Sequence, residues 1–179
     1  MTVINPCDNN QTKAATLAIA DHQGQVYLRF GRPKVANFTT EETPFEIGKG
    51  ILLNPGTDVT IIATGHLVWE ALEAAQSLEQ DGISAEVVNI HTIKPLDEEL
   101  IINSIQKTGC VVTAEEHNYL GGLGESVART LTASHPVPQE MVATQDTFGE
   151  SGTPKELMSK YGIDQGAIIQ KVKSVLQRK

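Results

Sequence analysis

The sequence predicts an α/β protein built as a three-layer αβα sandwich, with a mostly parallel sheet between two layers of helices. From Asp58 onward, short apolar runs rich in β-branched residues alternate with amphipathic segments of helical period. A separate strand–helix–strand unit precedes this region. Because alternating strands and helices form parallel sheets covered on both faces, we expect a doubly wound domain preceded by a βαβ remnant of another α/β domain.

The first 44 residues have the pattern of a strand, a helix and a second strand. "TVINP" is short and β-branched, and "QVYLRF" alternates in the period of a strand. Between them, "NNQTKAATLAIADHQG" has Asn9 or Asn10 as a possible N-cap and Gly24 as a stop signal. Such a short segment cannot bury enough apolar surface to fold well alone. We therefore assign residues 1–38 to the final βαβ unit of a larger domain.

Residues 39–57 have the composition of a linker and lead-in, because they contain Pro44 and scattered polar side chains. The charge distribution changes in the same region. Residues 1–44 carry four basic and four acidic side chains, so the whole net charge of −8 falls on the rest of the chain. We expect a domain boundary near residue 45.

The main domain in this prediction is residues 58–179. Four apolar runs are typical of strands, namely "DVTIIATG", "SAEVVNI", "CVVTAEE" and "EMVATQ". Five segments are typical of helices, namely "HLVWEALEAAQSLEQDG", "DEELIINSIQKTG", "GGLGESVARTLTAS", "TPKELMSKYG" and "DQGAIIQKVKSVLQRK". Gly82 is a stop signal, Thr153 and Asp164 are candidate N-caps, and Pro154 suits a first helical position.

Composition narrows the choice of partners and of compartment. With 179 residues and 40% hydrophobic side chains, the chain is long enough for a sizeable core. The net charge of −8 argues against nucleic acid or an anionic membrane as a partner. We find no signal peptide and no apolar run near the ~18 residues of a membrane span. Cys7 and Cys110 lie far apart, which is typical of free thiols in a cytoplasmic protein.

The stretch "TAEEHNYLGGLGESVA" lies where the third strand of the main domain ends and a helix begins. Ligands of open α/β sheets tend to bind at this edge. Gly122 and Gly124 either let the helix approach the sheet, or form an incomplete G-x-G-x-x-G nucleotide loop, or belong to a loop that contacts another domain. The missing third glycine argues against nucleotide binding, so the structural turn is the interpretation we favour.

The carboxylates and histidines near this edge form no complete catalytic set. Glu115 and Glu116 are strand neighbours, so their side chains point to opposite faces and are not expected to hold a metal ion with His117. We expect one of the two carboxylates to be buried and hydrogen-bonded to a partner surface. His66 and His91 also follow strands, and we interpret both as polar surface. No catalytic, cofactor-binding or metal-ligating residue is predicted in this chain.

Several collinear segments together resemble the carboxyl-terminal portion of transketolase. They are "INPCDNNQTKAA", "VYLRFGRPKVANF", "FEIGKGILL", "DVTIIATGHLVWEALEAAQSLEQDGISAEVVNIHTIKPLDEELI", "VVTAEEHNYLGGLGESVA" and "DTFGESGTPKELMSKYGID". The resemblance implies that residues 1–38 end the pyrimidine-binding domain of that family and that residues 58–179 are its C-terminal domain. The same domain also occurs in 1-deoxyxylulose 5-phosphate synthase and in the β subunits of 2-oxo acid dehydrogenases, which remain alternatives.

Transketolase transfers a two-carbon ketol unit between sugar phosphates of the pentose phosphate pathway and uses thiamine diphosphate with Mg²⁺. In the family the diphosphate and Mg²⁺ are bound by the first domain, and the glutamate that activates the cofactor lies earlier in the second. Neither stretch occurs in this sequence. We therefore expect a natural half-gene product or an artificially shortened chain that is inactive alone and serves in domain packing and dimerisation. A stand-alone ligand-binding or interaction module is the alternative of another class.

The resemblance also implies roles for particular residues. "FGRP" places Arg32 where the family has an arginine that contacts the sugar phosphate, and Arg29 is a weaker candidate. The exposed residues after the third strand are expected to face the pyrimidine-binding domain or the second subunit of a homodimer. These residues are Glu116, His117, Asn118 and Tyr119. The expected partners are an amino-terminal transketolase portion and sugar phosphates.

Overall fold

The computed structural model describes residues 1–179 and contains eight strands and six helices. The strands are β1 (Thr2–Ile4), β2 (Val26–Leu28), β3 (Ile51–Asn54), β4 (Val59–Ala63), β5 (Ala85–Asn89), β6 (Thr92–Lys94), β7 (Val111–Asn118) and β8 (Gln139–Thr144). The helices are α1 (Asn9–Ala20), α2 (Leu67–Gln80), α3 (Glu98–Thr108), α4 (Leu123–Ser134), α5 (Pro154–Lys160) and α6 (Gln165–Leu176). None of these helices has both the length and the apolar character that crossing a membrane requires.

The main sheet has five strands in the order β3-β5-β4-β7-β8. Strands β5, β4, β7 and β8 run parallel, and β3 is antiparallel to β5 at one edge. Helices α2 and α6 pack on one face, where 20 buried residues form a core cluster, and α3 and α4 pack on the other, over a cluster of nine. The α/β class and the three-layer sandwich with a mostly parallel sheet are thus confirmed.

Helix ends follow the local chemistry of the sequence. The predicted N-caps Thr153 and Asp164 each accept a hydrogen bond from a main-chain N–H of the following turn, and Pro154 opens α5. In α1 the prediction of Asn9 or Asn10 is wrong, because Asp8 is the N-cap. The Asp8 carboxylate is buried and also binds the Thr39 amide and hydroxyl, so it fastens the helix start to the following segment.

A second sheet joins the amino-terminal unit to the main domain. Its strand order is β2-β1-β6, with β1 parallel to β2 and antiparallel to β6, which follows β5 in the chain. The Asn5 amide donates to the carbonyl of His91 at 2.8 Å, and the Asn5 carbonyl accepts from the Gly65 amide at 3.3 Å. The βαβ unit is therefore fixed to the main domain by its main chain. The segment 39–57, expected to be a linker, contains β3.

Candidate functional site

A cleft of about 920 Å³ lies at the carboxyl edge of the main sheet, and we call it the edge cleft. It is bounded by the segment 32–36, by the start of α2, by the end of β7, and by α5 with the start of α6. The residues that line it and matter for its chemistry are Arg32, Lys34, His66, Trp69, Glu70, Glu116, His117, Lys155, Met158, Tyr161 and Asp164. The edge cleft therefore lies where open α/β sheets usually bind their ligands.

The two candidate arginines have different surroundings. The Arg29 guanidinium donates a hydrogen bond of 2.5 Å to the main-chain oxygen of Glu116, which ties β2 to the end of β7. Arg32 is exposed, lines the edge cleft and forms no ion pair or side-chain hydrogen bond. Gly31 lies between them against the His66 ring, where an added Cβ would overlap the imidazole. Because only Arg32 has a guanidinium without a partner in the chain, it stays the residue for which we predict a phosphate contact.

His66 lines the edge cleft, whereas the sequence predicts polar surface for it. Its side chain is only 13% exposed, and Nδ1 lies 3.2 Å from Oε2 of Glu116. The hydrogen bond from His66 is the main cause that holds the pKa of Glu116 below its usual range. His91 is also not surface, because it is fully buried and stacks on Phe45 with ring centroids 4.3 Å apart. The sequence signal that points to His66 is its position directly after a strand, at the edge where ligands of open α/β sheets tend to bind.

Glu115 explains the glycine cluster. Its buried carboxylate accepts hydrogen bonds from the main-chain N–H groups of Leu123 at 2.7 Å and Gly124 at 2.8 Å. Burial raises the pKa of Glu115, and these two hydrogen bonds oppose that rise. A Cβ on Gly122 would overlap the same carboxylate. The stretch is thus a turn that lets α4 dock on the sheet, as favoured. The prediction that a buried carboxylate bonds to a partner surface is wrong for Glu115, because its hydrogen bonds are made within the chain.

The four residues predicted to face a partner are only partly free. Glu116 is held by His66, and Asn118 donates to Oδ1 of Asp146 at 2.8 Å. His117 is exposed, and Tyr119 is 37% exposed. Two apolar side chains near them are also exposed, namely Leu120 at 46% and Phe148 at 98%. The contact with another domain or subunit stays a prediction.

Comparison with known proteins adds to this geometry. The family described as transketolase, C-terminal domain, matches residues 48–168. The chain is 45% identical over its whole length to a 6-deoxy-6-sulfo-D-fructose transketolase subunit SqwH from Clostridium sp. (strain MSTE9), of which it covers 56%. It also superposes with a TM-score of 0.97 and 44% identity on a structure described as a split gene transketolase, inactive beta4 tetramer, covering 59% of that chain.

One alternative from the sequence is also represented among the similar proteins. The chain is 35% identical to 1-deoxy-D-xylulose-5-phosphate synthase 1 of Geobacter sulfurreducens, of which it covers 29%. Identity is lower there than to the transketolase subunit, and a smaller share of the relative is matched. The chain spans little more than half the length of the first two proteins described above.

Proposed function

This chain belongs to the transketolase family, and we propose that it is the carboxyl-terminal portion of an enzyme that transfers a two-carbon ketol unit between sugar phosphates. The family match over residues 48–168 and the full-length similarity to a transketolase subunit support this function. The proposed setting is the pentose phosphate pathway in the cytoplasm, and two separate buried thiols, Cys7 and Cys110, are consistent with that compartment.

The observation that carries the proposal is the open edge of β2. This strand pairs with β1 on one side and with no strand on the other. Tyr27, Phe30 and Leu17 of the same unit are 51%, 59% and 65% exposed. An unpaired strand edge beside exposed apolar side chains is a surface on which further strands add. We propose that a second, amino-terminal portion supplies those strands and completes the pyrimidine-binding domain.

The proposed division of labour follows from the side chains present. No group of three or more His, Cys, Asp or Glu side chains is placed to hold a metal ion. On the resemblance to the family, in which an earlier domain binds them, we assign thiamine diphosphate and Mg²⁺ to the other portion. We leave to this chain the packing of the domain, a role in the homodimer, and the Arg32 contact with the substrate phosphate. The similar structure described as an inactive tetramer supports the view that such a chain is inactive alone.

Mixing this chain with a purified amino-terminal transketolase portion tests the proposal. We expect a complex by light scattering and ketol transfer in a coupled assay with two sugar phosphates. Tyr27→Lys at the open edge should weaken assembly, because it places a charge in the contact. Leu52→Lys is the matched control, since Leu52 is 46% exposed on β3 at the edge of the other sheet. Assembly without ketol transfer would instead favour a ligand-binding or interaction module.

A further inference from the structure

We infer that His66, held in place by Glu116, positions the loop that follows β2 and carries Arg32. We call residues 31–36 the arginine loop. His66 directly precedes α2, and Glu116 lies near the end of β7. Two elements of the main domain therefore set the path of a loop that belongs to the amino-terminal unit. The consequence for a phosphorylated substrate rests on the proposed function, whereas the contact itself does not.

The arginine loop needs support from outside because it forms no hydrogen bond. None of the main-chain or side-chain hydrogen bonds involves residues 31–36. The chain is fixed just before the loop, where the Arg29 amide donates to the Ile4 carbonyl at 2.8 Å. It is fixed again just after the loop, where Oδ1 of Asn37 accepts from the Asn10 amide at 3.2 Å. Between these two points the path of the chain depends on packing.

The imidazole of His66 supplies this packing at the first residue of the loop. A Cβ built on Gly31 would lie 2.6 Å from Nε2 of His66, so the main chain of Gly31 rests directly on the ring. Gly31 does not have a positive φ, so the ring and not the backbone conformation requires glycine here. Arg32 is the next residue. The ring therefore fixes the main chain from which the guanidinium extends.

The ring of His66 is itself fixed by Glu116. Nδ1 of His66 donates to Oε2 of Glu116 at 3.2 Å, and the His66 side chain is only 13% exposed. Glu116 also accepts a hydrogen bond of 2.5 Å from the Arg29 guanidinium through its main-chain oxygen. One residue of β7 thus contacts the chain before the arginine loop directly and the loop itself through the imidazole.

The local structure of α2 gives no other role to the His66 side chain. His66 is the N-cap of α2 but makes no side-chain hydrogen bond to the helix, at a position where Ser, Thr, Asp or Asn usually caps. Its main chain is held by the preceding residue, since the Gly65 amide donates to the Asn5 carbonyl at 3.3 Å. The imidazole is therefore mounted on a fixed main chain and directed at Glu116 and Gly31, as a positioning residue requires.

NMR relaxation of the 179-residue chain tests the contact without a partner portion or a substrate. In the wild type, the amides of Gly31 and Arg32 should have order parameters of about 0.85, the value of rigid main chain. His66→Ala should lower both below about 0.6, because the loop loses the surface on which it packs. Glu116→Ala should lower the same two values, because the ring remains but loses the carboxylate that orients it.

His135→Ala is the matched control for these variants. It also removes an imidazole, but His135 lies at the end of α4 and does not line the edge cleft. Both order parameters should keep their wild-type values in this variant.

Gly31→Ala shows whether the glycine and the ring act together. Alone, this substitution should lower the urea midpoint of the 179-residue chain, because the added Cβ overlaps the imidazole. In the His66→Ala background it should cause no further loss, because the overlapping ring is gone. Equal losses in the two backgrounds would show that Gly31 does not rest on His66 and would overturn the inference.

Kinetics of the assembled enzyme distinguish positioning from a general loss of stability. His66→Ala should raise KM for a phosphorylated acceptor about 2- to 10-fold, as expected for loss of one hydrogen bond, with little change in kcat. KM for an acceptor without phosphate should stay unchanged. His66→Asn should recover part of the loss, because its amide nitrogen can replace Nδ1 and keep the hydrogen bond to Glu116.

Three further results would overturn the inference. The first is unchanged order parameters at Gly31 and Arg32 in both His66→Ala and Glu116→Ala. The second is the same loss of order in His135→Ala. The third is an equal rise in KM for both kinds of acceptor in His66→Ala. A failure of ketol transfer by the assembled portions would count against the proposed function alone, because the relaxation and urea experiments need neither partner nor substrate.

Discussion

Arg32 and Arg29 are three residues apart, and the structure separates their expected effects. In the assembled enzyme, Arg32→Ala should raise KM for phosphorylated sugars much more than it lowers kcat, because the phosphate is remote from the reacting carbon. Loss of a charge-assisted contact of roughly 1.5–3 kcal/mol corresponds to about a 10- to 150-fold lower kcat/KM. Acceptors without phosphate should lose almost nothing. Steady-state kinetics with both kinds of acceptor measures the difference.

Arg29→Ala is the matched control for this prediction. Arg29 donates to the main-chain oxygen of Glu116, so its removal should lower stability and affect both kinds of substrate alike. A phosphate-specific loss in Arg29→Ala, or an equal loss for both substrates in Arg32→Ala, would show that the phosphate contact is assigned to the wrong arginine.

Glu115 should make stability depend on pH in a defined direction. Its pKa is raised by burial, so the folded state binds its proton more tightly than the unfolded state does. The stabilisation is therefore full below the unfolded pKa of about 4.3 and is lost as pH rises through the raised folded pKa. Glu115→Gln removes this dependence. It should also destabilise by about 1–3 kcal/mol, because one of the two N–H groups of α4 loses its acceptor.

Urea unfolding at a series of pH values between 4 and 7 (roughly the range around the carboxyl pKa) checks this prediction. The gap between wild type and Glu115→Gln should be widest at the acid end and should narrow as pH rises. Glu42→Gln is the control, since Glu42 is exposed and its carboxylate has no partner. A gap that widens with pH would mean that the hydrogen bonds from Leu123 and Gly124 outweigh burial.

Side-chain partners were the part of the site that the sequence predicted least well. The alternation of Glu115 and Glu116 between faces follows from strand geometry and was predicted. Their partners were not, because His66 and the amide of Leu123 meet them only through the fold. The N-cap of α1 is a similar case. The structure has Asp8 there instead of Asn9, and the Asp8 carboxylate also accepts a hydrogen bond from Thr39, a contact over 31 residues that the local sequence does not reveal.

At the scale of elements, the amino-terminal unit should be less stable than the main domain. In α1 only Gln11 and Ala15 are buried, and β2 has one open edge, whereas every residue of β4 and β5 is buried. Amide hydrogen exchange should therefore be fast in α1 and β2 and slow in β4 and β5. Exchange in β1 should be intermediate, because it is paired on both sides.

Mass spectrometry of exchanged peptides at two protein concentrations provides the test and its control. Fast exchange in β2 at both concentrations supports an edge left open. Protection of β2 equal to that of β4 would contradict the expected boundary near residue 45. If protection of β2 were seen only at the higher protein concentration, we would conclude that a second copy of the chain covers the open edge there.

The elements that the sequence missed share a physical reason. Strands β3 and β6 have only four and three residues. Neither is long enough to show the alternation of buried and exposed residues that distinguishes a strand from a loop. Each is antiparallel to a partner that pattern analysis cannot supply, β5 for one and β1 for the other. The long strands and helices of the main domain were predictable, because burial on both faces of a parallel sheet leaves continuous apolar runs.

At the scale of the whole molecule, the 179-residue chain should bind no thiamine diphosphate and should transfer no ketol unit. This expectation follows from the proposed function, which assigns the cofactor to an amino-terminal portion. The first amides of α4, on Leu123 and Gly124, donate to Glu115 and so are not free for an anion. Calorimetric titration of thiamine diphosphate with Mg²⁺ should show no saturable heat. The matched measurement is the same titration after the amino-terminal portion is added, in which binding and ketol transfer should appear together. Micromolar binding by the 179-residue chain alone would contradict the assignment of the cofactor to the amino-terminal portion. It would mean that this chain has a cofactor site of its own.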